Sequence, residues 1–154
     1  VRILTIRRLA AADRNEWFGL WRGYLDFYGA DLDKGISEAT WSRLLSDECP
    51  VHGLVAEDEV GVIGFLNYVL HENTWSDQHV CYLEDLFVAS LARKQGAGRS
   101  LIEHLAGLAR REGWHRLYWM THADNVLARH LYDKIALVTD WVRYDINTRE
   151  SVQR

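Results

Sequence analysis

The chain has 154 residues, of which 48% are hydrophobic and 26% charged, with a formal net charge of −4 at pH 7. That length suits one domain with a substantial core. The composition matches a globular chain rather than a disordered one, and the acidic balance argues against a nucleic-acid partner, which wants a basic face. No apolar run approaches the roughly 20 residues of a membrane span, and residues 1–8 lack the apolar region of a signal peptide.

Residues 5–9 read as a first strand. From Asp13 a helix is predicted in which Trp17, Trp21, Tyr24 and Tyr28 form one aromatic stripe. Gly29 and the polar stretch 31–35 end it, and Ser37 is of a type that caps the next, shorter helix. Residues 51–57 and 60–70 are apolar, β-branched runs separated by Asp58-Glu59, which predicts a hairpin. A polar connection leads to a strand over 80–88. Leu101, Leu105 and Leu108, flanked by Ile102 and Ala109, make the buried face of a helix ending near Gly113. A strand over 116–121, a helix over 125–135 and a strand over 141–146 complete the order β-α-α-β-β-β-α-β-α-β. This is an α/β chain with a mixed, α+β-type sheet covered by helices, one domain over 1–154.

The most chemical segment is Tyr82-Leu-Glu-Asp-Leu-Phe-Val88, followed by Arg93-Lys-Gln-Gly-Ala-Gly98 and a helix. A helix start after small residues points unpaired N–H groups outward and suits an anion. Gly96 and Gly98 leave room for a phosphate against the backbone, while Arg93, Lys94 and Arg99 add positive charge. A diphosphate suits this turn. The P-loop pattern is absent, and Leu101 stands where a dinucleotide fingerprint has its third glycine.

Cys49 and Cys81 form no Cys-x-x-Cys pair and read as thiols of a reducing cytosol. The seven histidines show no metal spacing, so no metal is expected. No Gly-x-Ser-x-Gly or other nucleophile context is present, which favours direct transfer over an acyl-enzyme.

Two motifs give the chain its resemblance to the GNAT superfamily of N-acetyltransferases. One is the strand ending Leu86-Phe87-Val88 with Arg93-x-x-Gly96-x-Gly98; the other is Asn125-x-x-Ala128-Arg129-x-Leu131-Tyr132. Tyr82-Leu-Glu-Asp85 and Trp119-x-Thr121 are similar to the branch of diamine (spermidine/spermine-type) and Hpa2-like enzymes. The resemblance covers residues 50–146 well and the N-terminal helices loosely. Lys94 stands where the family often has Gly, Ser90 where Pro is common, and Ile135-Ala136-Leu137 replaces a Gly-Phe ending.

The resemblance implies the GNAT acyl-CoA N-acyltransferase fold, acetyl-CoA as acetyl donor, a cytoplasmic setting and a homodimer through the C-terminal strands. It implies cofactor contacts from Leu86, Phe87 and Val88, from Arg93, Lys94, Gln95, Gly96, Ala97, Gly98, Arg99 and Ser100, and from Asn125. In such proteins one strand N–H faces the thioester carbonyl and steadies its developing charge.

Tyr132 is the implied general acid for the leaving thiolate; otherwise it is a Tyr with its hydroxyl at the surface. Asn125 also reads as an N-cap.

Making an alkylamine neutral at pH 7 costs about 4.6 kcal/mol, since its pKa is about 10.4. A carboxylate near the amine can take that proton. Neighbours on a strand face opposite sides, so only one of Glu84 and Asp85 should face the cleft. Family position favours Glu84; the alternative for the pair, and for Asp85 above all, is a salt bridge to a nearby Arg. The aromatic stripe reads as core, yet its end (Tyr24, Tyr28, with Asp26 and Asp31) lies where the family's acceptor site often begins. Aromatic faces and carboxylates suit a cation.

The function implied is acetyl transfer to a primary amine of a polyamine, diamine or lysine-like small molecule, with no nucleic acid or membrane involved. A protein lysine or N-terminal acetyltransferase is the alternative within the same chemistry. A non-catalytic acyl-CoA-binding module is the alternative outside it.

Overall fold

Residues 3–149 are described by a computed structural model of the protein. The chain divides into two units between Met120 and Thr121. In the first, β1 (Thr5–Arg8), β2 (Val51–Asp58), β3 (Gly61–His71), β4 (Val80–Val88) and β5 (Arg116–Tyr118) lie in one sheet in chain order. All neighbours are antiparallel except β4 and β5, which run parallel. The β2–β3 reversal is closed by Asp58 Oδ1, which accepts from the Val60 N–H at 2.8 Å, and by Gly61 at a φ of +134°.

The helix α1 (Arg14–Phe27) packs on β3 and β4, and α2 (Lys34–Leu45) on β2. Between them and the sheet lies an aromatic core of Trp17, Trp21, Trp41 and Phe65. Trp17 is fully buried and stacks on Trp21 at 5.1 Å. The helix α3 (Ala97–Glu112) packs on β2, β3 and β4 through its apolar stripe, with Leu101 and Leu105 fully buried. It stops at Gly113, whose φ of +70° is the left-handed conformation a helix end favours. Arg7 ties β1 down: its guanidinium donates twice to buried Asp13, at 2.8 Å each, and through Nε to Glu57 at 2.8 Å.

Two expectations fail in this unit. Ser37 caps nothing; Asp33 does, accepting from the Gly35 N–H at 2.7 Å, and α2 begins at Lys34. Ser37 lies buried inside the helix, where its hydroxyl accepts from Trp21 Nε1 at 3.0 Å. The strand expected over 116–121 pairs only over Arg116–Tyr118.

In the second unit α4 (Val126–Ile135) is the one helix among the described residues. The expected strand over 141–146 does not form. Trp141, Val142, Tyr144 and Ile146 are 71–90% exposed, and no strand among the described residues pairs with them. Alternation supplies a face, but a strand exists only where a neighbour takes its hydrogen bonds. Of the C-terminal segment through which the resemblance implies a homodimer, residues 150–154 lie outside the described residues. No helix of the described residues is long and apolar enough to cross a membrane.

Candidate active site

The site grows from one irregularity in β4. Asn67 pairs with Asp85, but Tyr68 pairs with Leu83, so Glu84 is an extra residue on β4 and the ladder bulges there. A bulge suspends the strict alternation of side chains. The expectation that Glu84 and Asp85 face opposite ways rests on that alternation, which does not hold at this point; burial and then the charges of both raise the pKa of the Tyr24 phenol of α1. Burial, and then the charge of Asp85, raise the pKa of Glu84 above its ordinary value. Burial likewise raises that of Asp85, opposed by hydrogen bonds from Tyr24 and Asn67. Asp85 is thus held by an amide and a phenol, not by the arginine salt bridge that was its alternative reading. The Asn67 Nδ2 donates to Asp85 Oδ2 at 3.0 Å.

The aromatic stripe divides along its length. Trp17 and Trp21 belong to the core, Tyr24 sits half-buried at its rim, and Tyr28 is 46% exposed. Tyr24 stacks on Trp21 at 5.3 Å and meets Tyr28, Phe65 and Phe87 edge-on. Burial and the nearby Asp85 carboxylate raise the phenol pKa of both Tyr24 and Tyr28. Asp26 and Asp31 are exposed.

Downstream, Leu86, Phe87 and Val88 finish β4. The parallel partner β5 engages only Val80, Cys81 and Tyr82, so beyond Tyr82 the second edge of β4 has no strand beside it among the described residues. Arg93 Nε donates to the Val88 carbonyl at 3.0 Å, and its guanidinium lies 5.3 Å from the centre of the Phe87 ring. Lys94 then takes a φ of +64°, and Gly96 one of +85°. A left-handed Lys94 explains how a position that often holds Gly in the family can be recognised here only by its backbone. Gly96 precedes α3 without any side-chain cap. A Cβ at Gly96 would meet no protein atom within 4 Å, so within the protein its glycine serves the backbone angle. Ala97 is buried beneath the first turn. Gln95 donates weakly to the Leu91 carbonyl, and Ser100 N–H to Gly96 O at 2.9 Å. Gly98 and Arg99 lie in that first turn, where backbone N–H groups lack helical acceptors. Arg99 also pairs with Glu103 at 2.7 Å, so its charge is shared. An uncapped helix start beside a free strand edge fits a diphosphate with an extended arm.

In the second unit Asn125 caps α4, accepting from the Ala128 N–H at 3.4 Å and donating to Thr121 Oγ1 at 3.2 Å. Arg129 donates to the Ala123 carbonyl at 2.7 Å. Tyr132 is half-buried two turns further on. Among the described residues no group of three or more His, Cys, Asp or Glu side chains is placed to hold a metal ion. Sequence reasoning missed Asn67. Its only signal was a polar residue in the middle of an apolar run.

Comparison with known proteins gives the family. The model of the Acetyltransferase (GNAT) family matches residues 14–136. The chain is 33% identical over 146 residues to the D-amino-acid N-acetyltransferase HPA3 of Saccharomyces cerevisiae, covering 94% of this chain and 91% of that one. It is 34% identical over 88 residues to the thialysine N-epsilon-acetyltransferase of Caenorhabditis elegans, 57% of this chain and 54% of that one. The crystal structure of the ribosomal-protein-alanine N-acetyltransferase from Brucella melitensis shares the fold, with a TM-score of 0.78 at 22% identity over 94% and 99% of the two chains.

Proposed function

Because the chain belongs to the GNAT family and is an acetyl-CoA-dependent N-acetyltransferase, we propose that its acceptor is a primary amine of a small cationic molecule: a polyamine, a diamine or a lysine-like compound. The observation that carries this reading is the pair of carboxylates at the β4 bulge, Glu84 and Asp85, beside Tyr24 and Tyr28. Negative charge and aromatic faces attract an ammonium. The two relatives named above act, by their names, on D-amino acids and on thialysine, and small acceptors of that size agree with the reading. So does the resemblance of Tyr82-Leu-Glu-Asp85 to the polyamine and Hpa2-like branch.

Acetyl-CoA supplies the acetyl group as a thioester. Backbone N–H groups of residues 94–99, with Arg93, Lys94 and Arg99, hold the diphosphate, and the edge from Leu86 to Val88 holds the arm; the family resemblance gives Asn125 a contact with the cofactor as well. With both substrates bound, Glu84 takes the ammonium proton directly or through a water, and the amine attacks. A backbone N–H near Phe87 stabilises the charge growing on the carbonyl oxygen. Tyr132 returns a proton to the departing sulfur. The family match crosses both units, which supports reading residues 1–154 as one domain. Free Cys49 and Cys81 fit a cytoplasmic setting. The exposed apolar residues Leu137, Trp141 and Tyr144 support a homodimer through this C-terminal segment.

The test is thiol release from acetyl-CoA with spermidine, spermine, putrescine, lysine, thialysine, D-amino acids and a lysine peptide. Turnover concentrated on the small cationic amines is expected. Turnover on the peptide alone, or on none despite acetyl-CoA binding, overturns the reading.

A further inference from the structure

Asn67 sits in the middle of β3 at 2% exposure, in a run otherwise made of apolar residues. Its Nδ2 donates to Asp85 at 3.0 Å, while its Oδ1 is buried and accepts no hydrogen bond. A buried acceptor left without a donor is costly, and an aliphatic residue of the same size would leave none. The amide orientation explains the arrangement. Turned the other way, its oxygen would confront the Asp85 carboxylate; as it stands, the donor goes to Asp85 and the orphaned oxygen is the consequence. That orientation suits an Asp85 that accepts, and an ionised carboxylate accepts with both oxygens.

We infer that Asn67 is a positioning residue of the acceptor site, which fixes the Asp85 carboxylate against Tyr24 from inside the sheet and keeps it charged to meet a cationic amine. The inference rests on the small-amine reading above. Three titratable groups face Asp85: Tyr24 and Tyr28 from α1, and Glu84 from β4 itself. The two phenols are neutral at physiological pH, and Glu84 adds like charge that works against ionisation of Asp85. Tyr24 and Asn67 are the donors that oppose this effect and that of burial.

The experiment is N67L, which keeps the number and branching of the side-chain heavy atoms and removes both the donor and the orphaned acceptor. The titration of Asp85 is followed by carboxyl carbon NMR, assigned with D85N, alongside KM and kcat for the best amine of the panel. The Asp85 midpoint should rise by about one to two pH units, the equivalent of one lost hydrogen bond to a charged group. At neutral pH KM for the amine should rise about tenfold with kcat changed less, and the thermal midpoint should move by only a few degrees. N67D is the second variant, in which two carboxyls in contact should share one proton well above the usual range. An unmoved Asp85 titration in folded N67L overturns the inference. A moved titration with an unmoved KM overturns the acceptor role. Because the NMR titration needs no substrate, failure of Asn67 is told apart from failure of the amine reading.

Discussion

The two ends of α3 offer a matched experiment on the donor site. Gly96 precedes the helix at φ +85° and Gly113 follows it at φ +70°. A Cβ at Gly96 would have open space, and at Gly113 it would come no nearer than 4.0 Å, to Gln78 Oε1. Neither Gly→Ala change therefore carries a steric term. The remaining cost is left-handed strain of about 1–2 kcal/mol, offset by about 0.4–1 kcal/mol of lost unfolded-state freedom. Each variant should lose about 1 kcal/mol, or about 2–4 °C of thermal midpoint in a chain of this size. Only G96A relieves its strain by rotating the first-turn N–H groups, so only G96A should raise KM for acetyl-CoA, by about five- to tenfold. The assays are thermal unfolding and thiol release at saturating amine. Equal KM values for the two variants, after equal losses of stability, would refute the placement of the diphosphate at this turn.

Y132F should lower kcat by about a hundredfold or more while acetyl-CoA affinity, measured by calorimetry, stays native; an unchanged kcat removes Tyr132 from catalysis. The folded-state pKa of Asp85 is raised, so the folded protein binds that proton more tightly than the unfolded chain, and stability falls as pH rises from the ordinary carboxyl range through the raised value. D85N should accordingly melt higher than the parent at pH 7, with the difference fading in acid, while its KM for the amine rises. Arg7 holds the Asp13 pKa low, and that stabilisation is present above the ordinary carboxyl range and lost as pH falls through the lowered one. R7M leaves Asp13 buried without its guanidinium and should cost about 3 kcal/mol at neutral pH, and less in acid. Cys81 is fully buried with its thiol pushed up to about 12. An aromatic disulfide reagent at pH 8 should titrate Cys49 alone in the native protein and both thiols in denaturant.

Most of the framework was legible because it depends on local pattern. The strand over 80–88 appears with the predicted bounds, since an apolar run between polar breaks leaves little choice. The helix from 97 to 112 shows the predicted buried face, although Leu108 is only partly covered. What could not be read depends on partners. Ser37 looked like a cap, but the buried indole of Trp21 claims its hydroxyl, and the helix start moved back to Asp33. The run 141–146 alternates like a strand, but no strand among the described residues pairs with it. The bulge at Glu84 is a mismatch between two strands, so it has no signature in either strand alone. Asn67 followed the same logic, since nothing in β3 tells that an acid will stand opposite.

The extra residue in β4 also separates two demands on one strand. Leu83 and Asp85 have opposite orientations because Glu84 lies between them as a surplus. Exchange of Glu84 for any side chain keeps that surplus and keeps both halves of the strand facing as they do. Deletion of Glu84 makes Leu83 and Asp85 direct neighbours, which plain alternation already points to opposite faces, so it removes the bulge and one carboxylate without turning either half of β4 over. A Glu84 drawn into the ladder as an ordinary paired residue has the opposite effect: it turns half of β4 over, sending either the carboxylate and Phe87 away from α1 or the apolar residues 81 and 83 out of the core. The bulge is thus what lets the chain carry a second carboxylate beside Asp85 at no cost to the packing on either side of it.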